Sequence, residues 1–140
     1  QDADDLWVEG RQSVLLPALQ PGVDAVYGSA EQFLSPDLLP DDAARLRVTE
    51  GPLPSQLLTC LLVRRTAFDI VGPFDVNLPS ASNIDWTSRA RAVPLRVATV
   101  PEVVVRRRVH ASNYGRRRAV DNRIDLTRVM RAHLDRKRAQ

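Results

Sequence analysis

The chain has 140 residues, 44% apolar and 26% charged, which suits one globular domain with a modest core. No apolar run approaches the roughly 18–20 residues of a membrane span, and no basic segment followed by an apolar one opens the sequence. A single cysteine, Cys60, excludes an intrachain disulfide and any Cys-rich zinc module, and its place in the apolar stretch 57–63 predicts a buried small hydrophobe. Net charge is only +3 but is unevenly spread: residues 1–60 carry 10 acids against 3 bases, and residues 61–140 carry 7 against 17. An acidic front and a basic back suit a polar ligand or metal held between them, or two complementary surfaces.

In chain order, Asp2, Asp4 and Asp5 come first. In extended backbone Asp2 and Asp4 point to one side, and converging oxygens at a strand end suit Mg²⁺ or Mn²⁺. The alternative is capping, with Asp4 or Asp5 at the start of a helix expected over residues 8–19. Trp7 reads as packing. Residues 24–30 read as a strand, and residues 34–54, with four prolines, as a loop. Residues 55–63 form an apolar helix or strand, residues 70–75 a turn, and residues 83–93 a short helix. Two strands are expected at 95–99 and 102–109, parted by Pro101. The spacing of Val120, Ile124, Met130 and Leu134 predicts an amphipathic helix over 117–138 lying on the body, with His133 solvated. The alternation of strands and helices gives an α/β or α+β class.

Nineteen of the 20 Lys and Arg residues are Arg, a bias that genome base composition can produce. Tyr114 is the only aromatic among residues 94–140, so nucleic acid is not an expected partner. The runs 106–108 and 116–118 read as solvated surface, as donor-phosphate contacts, or as attachment to an anionic membrane face.

Four segments in order resemble the second half of a family 2 glycosyltransferase of the GT-A fold. Asp2-Ala3-Asp4-Asp5-Leu6-Trp7 is similar to the acidic DxD-type motif that holds metal and donor diphosphate. Arg64-Arg65-Thr66-Ala67-Phe68, running on to Gly72-Pro73-Phe74-Asp75, resembles the stretch leading to the acceptor side. Ser82-Asn83-Ile84-Asp85-Trp86, with Arg89-Ala90, resembles a helix start that ends "DW..RA". Arg107-Arg108-Val109-His110-Ala111-Ser112-Asn113 resembles an "RxHxxN" segment.

The resemblance implies an incomplete GT-A-type, Rossmann-like α/β domain, a mixed sheet flanked by helices. Residues 1–115 would be the metal- and acceptor-side part and 116–140 the amphipathic C-terminal helix. In the family, a nucleotide-binding half precedes the DxD-type motif. The implied activity is metal-dependent transfer of a sugar from a nucleotide-diphosphate donor to an acceptor hydroxyl, with inversion.

The same resemblance implies Mn²⁺ or Mg²⁺ at Asp2, Asp4, Asp5 and His110, and donor diphosphate at Asp4, Arg107 and Arg108. Trp86 falls on the acceptor side, where it either stacks on a sugar or packs in the core. The family's base position is occupied by Asn83, and an amide cannot take a proton. Asp85 is the candidate in its place, against an ion pair with Arg89 one turn on. The expected acceptor is a saccharide or lipid-linked, and the expected setting is the cytoplasm, peripheral to the inner face of the membrane. Self-association through an open sheet edge is also expected. The alternative to an enzyme is a catalytically impaired GT-A-like binding or accessory module.

Overall fold

A computed structural model describes residues 3–78, 81–113 and 119–138. It is an α/β structure with a mixed five-stranded sheet and flanking helices. The chain divides into two compact units, Gln1–Val63 with Arg96–Asn113, and Arg64–Leu95 with Tyr114–Gln140. Among the described residues, no helix is long and apolar enough to cross a membrane.

The first unit holds the sheet. In chain order it contains β1 (Leu6–Trp7), α1 (Arg11–Ala18), β2 (Ala25–Leu34), α2 (Pro40–Arg45) and β3 (Leu53–Pro54). A 3₁₀ turn (Leu58–Cys60), β4 (Leu61–Val63) and β5 (Val97–Val109) follow. The strand order is β1-β5-β2-β3, with β4 also on β2. β2 and β5 run parallel; the other pairs are antiparallel. Parallel neighbours need a crossover, and the chain makes it between Val63 and Arg96.

Leu15 of α1 packs onto Val26, Tyr27 and Ala30 of β2, Cys60, and Val104 and Val105 of β5. These are the apolar positions of the strands and one face of the helix, and Cys60 is buried as expected. The two strands expected around Pro101 are instead one strand. Tyr27 pairs with Thr99 and Ser29 with Val103, so β5 carries extra residues opposite β2. A bulge of this kind leaves residues outside the ladder, and there a proline costs no hydrogen bond. The expected loop over 34–54 contains α2, which begins at Pro40, and β3. Pro40 suits a first helical position because its missing N–H has no partner to lose there.

Neither Asp4 nor Asp5 caps α1, so the capping alternative is set aside. The cap residue is Gly10, at φ 73°, with no side-chain hydrogen bond. Arg11, which opens α1, is buried. It donates to the Leu61 carbonyl at 2.9 Å and lies 4.5 Å from the centre of the Trp7 ring. Trp7 thus contributes one face to packing while remaining partly exposed.

The second unit contains α3 (Arg65–Val71), α4 (Ser82–Ala90) and α5 (Ala119–Arg138). α3 precedes the expected turn and stops at Gly72, whose φ of 85° an L side chain rarely adopts. Phe68 and Trp86 stack at 5.6 Å between ring centres, with Phe74 against both.

Two expectations for α5 are corrected. Ile124, Met130 and Leu134 were expected to lie on the body, but all three are exposed; Val129 and Asp125 are buried instead. His133 was expected to be solvated, but its Nδ1 lies 3.0 Å from Ser88 Oγ on α4. Two stripes of similar spacing run along this helix, and Ser88 together with Leu78 and Ala81 selects the one that carries Val129.

Candidate functional site

The parallel strands β2 and β5 end together, and the segment Ala3–Asp5 lies beside them. This follows from the register: Leu34 pairs with Val109, and Leu6 pairs with Arg106. Ser35, just past β2, donates its amide to Val109 O. Asp4, Arg108, His110 and Ser35 therefore come to one edge from segments far apart in sequence.

Asp5 is buried, and its Oδ1 accepts the Arg108 amide at 3.0 Å. That bond fixes the N-terminal segment to β5. Arg108 returns the tie, its Nε donating to the Asp4 carbonyl at 3.1 Å and its Nη1 to Ser35 Oγ at 3.2 Å. Arg106 and Arg108 both lie over the Phe33 ring, as alternate residues of one strand face. Arg107, between them, belongs to the opposite face, so it does not join Arg108.

His110 is held at both ring nitrogens. Nε2 lies 2.8 Å from Asp4 Oδ2, and Nδ1 lies 2.8 Å from Ser112 Oγ. Asn113 closes the turn: its Oδ1 accepts the His110 amide at 2.8 Å, and its Nδ2 donates to Asp4 Oδ2 at 3.3 Å. The histidine hydrogen bond holds the Asp4 carboxyl below the usual carboxylate range, against an opposing desolvation.

A cavity of about 450 Å³ opens here, lined by Asp4, Asp37, Asp42, Arg108, His110 and Ser112 among others. Asp37 accepts a hydrogen bond from Ser35 Oγ, the main reason its carboxyl is also held low. Ser35, Asp37 and Asp42 carried no signal in the sequence. They come from a segment without periodicity, and only the sheet register places them beside His110.

The donor set bears on the expected metal. Asp4 Oδ2 and His110 Nε2 face each other at 2.8 Å as a hydrogen-bonded carboxylate–imidazole pair, and both atom types can ligate a divalent cation. Asp5 is turned to the Arg108 amide, and Asp2 lies outside the described residues. Among the described residues no group of three His, Cys, Asp or Glu side chains converges. Of the residues expected to hold a metal, Asp4 and His110 are therefore the two that come together.

The acceptor-side candidates belong to the second unit. Asp85 is buried and paired with Arg89 Nε at 2.8 Å. Arg89 also donates to the carbonyls of Val71 and Pro73. Of the two readings of Asp85, the geometry is that of the ion pair. Asn83 is exposed, and its Oδ1 accepts its neighbour's amide, Ile84 N, at 2.8 Å. Trp86 is 2% exposed and its indole N–H donates to Gly72 O at 2.9 Å, so both ring faces and the polar edge are spent on packing.

No protein-family model matches this chain, and no curated protein sequence matches it.

Proposed function

We propose that this chain is the metal- and acceptor-side part of a GT-A glycosyltransferase that uses a nucleotide-diphosphate sugar. The observation that carries the reading is the Asp4–His110 pair, 2.8 Å apart at the end of two parallel strands, beside the Arg108 guanidinium. These residues come from the two segments that resemble the DxD-type motif and the "RxHxxN" segment, and they share one open cavity. A leaving diphosphate needs positive charge delivered in fixed geometry, which Arg108 and a cation held by this pair would supply.

A divalent cation bound between Asp4 and His110 would supply Lewis-acid stabilisation of the leaving diphosphate. The chain's own residues do the rest. Ser112 holds Nδ1 of the His110 ring and Asn113 holds the His110 backbone amide, so that Nε2 faces Asp4. Arg108 is anchored on the Asp4 carbonyl and Ser35, which leaves its charge at the cavity wall. Asp5 keeps the whole segment on β5. In this reading the donor is cytoplasmic and the acceptor is a saccharide or lipid-linked.

One observation favours the second reading, a binding or accessory module without catalysis. Asp85, the candidate base, is buried and ion-paired, and Asn83 cannot accept a proton.

Calorimetric titration of UDP and then GDP, with and without Mn²⁺, tests the proposal. Binding that requires Mn²⁺ and is lost in Asp4→Ala supports the transferase reading. Saccharide binding that ignores both Mn²⁺ and Asp4→Ala would replace it with the accessory module.

A further inference from the structure

The outward face of α5 carries an unusual combination. Ile124, Met130 and Leu134 are 50%, 65% and 50% exposed. Positions 124, 127, 131, 134 and 138 form one stripe of a 3.6-residue helix, with 123 and 130 immediately beside it. Along that stripe stand Arg131 and Arg138, and beside it Arg123, all exposed. Of the described acids on this helix, Asp125 is buried on the opposite side, and Asp135 is exposed beside the stripe, 3.9 Å from Arg138, so the described charges of this face remain in basic excess. The inner face is fixed by contacts. Val129 packs with Leu78 and Ala81, and Arg136 donates to Ser88 Oγ.

We propose that this face binds the surface of an anionic lipid bilayer, with the helix lying in the interfacial plane. The residue types select the occupant. A second copy of the same helix would set Arg131 and Arg138 against like charges at seam positions, where a coiled coil needs apolar side chains. A nucleic acid would use the cations but gives Met130 and Leu134 nothing to enter, and this face has no aromatic on which a base could stack. An anionic bilayer supplies both partners: negative headgroups for the guanidinium groups, and a hydrocarbon boundary for three half-exposed apolar side chains. Arginine is suited to the boundary, since its stem lies along apolar surface while its head stays at the headgroups. The inference does not depend on the chemistry proposed at the sheet end.

The test is flotation of the full chain with vesicles of phosphatidylcholine alone and of phosphatidylcholine mixed with phosphatidylglycerol. Flotation is expected only with the anionic vesicles. The double variant Met130→Gln/Leu134→Gln changes two exposed positions and should keep the far-ultraviolet dichroism of the parent. It should weaken partition roughly tenfold. Arg131→Ala/Arg138→Ala should weaken it as well and remove most of its salt sensitivity.

Absence of flotation with anionic vesicles overturns the proposal. Flotation that the apolar variant leaves unchanged also overturns it, because the surface is then purely ionic and fits a nucleic acid or an acidic protein. A concentration-dependent dimer in size-exclusion chromatography, abolished by Met130→Gln/Leu134→Gln without lipid, would assign the face to a second copy instead.

Discussion

Nε2 of His110 lies 2.8 Å from Oδ2 of Asp4, across 106 residues of sequence. The contact exists because β5 aligns Arg106 with Leu6, and the chain at both places then continues to the same end of the sheet. Each partner has its own brace, Asn113 and Ser112 for the histidine and the Arg108 guanidinium for the Asp4 backbone. Replacing His110 with Ala should abolish Mn²⁺-dependent binding of a nucleoside diphosphate. It should lower stability by only about 1 kcal/mol, since both side chains are partly solvated. Calorimetric titration beside a urea melt separates the two effects; loss of binding only in step with loss of fold would argue for a purely structural pair.

Gly28 faces Val104 so closely that a Cβ built on it would come 2.5 Å from a Val104 methyl. Val104 is buried between α1 and β2, with nowhere to retreat. Gly28→Ala should therefore cost about 1–3 kcal/mol by overpacking, and the double variant Gly28→Ala/Val104→Ala should recover part of it. Chemical denaturation of the single and double variants checks this. Equal stability of Gly28→Ala and the parent would show that the two strands separate more easily than their register implies.

Arg89 is the charge that makes a buried Asp85 tolerable. Its removal leaves the carboxylate uncompensated, at a cost of about 3–5 kcal/mol, whereas Asp85→Asn/Arg89→Met should lose much less. Thermal melts of the three proteins measure the difference. If Arg89→Ala instead leaves stability unchanged, Asp85 is more solvated than its position indicates and regains interest as a base.

Cys60 is fully buried, and desolvation raises its thiol above the ordinary value of 9.0. The unfolded chain therefore ionises first. Stability from this group is intact below about pH 9 and falls as pH rises toward the folded value. Cys60→Ala should remove this alkaline loss while introducing a small packing defect. Native protein at pH 8 should react with a thiol reagent only as fast as it opens, and promptly in urea; fast native reaction would place the thiol at the surface.

Trp86 is buried, stacked on Phe68 of α3 and in contact with Phe74. Trp86→Ala should cost about 3–5 kcal/mol. Intrinsic fluorescence of the parent should be insensitive to added saccharides on account of this residue. A saccharide-dependent signal that disappears in Trp86→Phe would restore the stacking role.

Much that is local was legible in the sequence. Helix α1, strand β2, the burial of Cys60 and a C-terminal helix follow from apolar spacing and β-branched content, which act within a turn or a strand. The motif order also singled out Asp4 and His110, although nothing in either segment states that they meet. What the tertiary structure decided rests on partners distant in sequence. Pro101 reads as a strand break until β2 is laid beside it, when a bulge absorbs the residue without a lost hydrogen bond. Ser35, Asp37 and Asp42 join the cavity only through the β2–β5 register. The clearest case is α5, where spacing alone offers two stripes of similar merit. Ser88, Leu78 and Ala81 chose between them, burying Val129 and Asp125 and leaving Ile124, Met130 and Leu134 in water. Periodicity tells a helix that it has faces; which face is buried depends on the surface it meets.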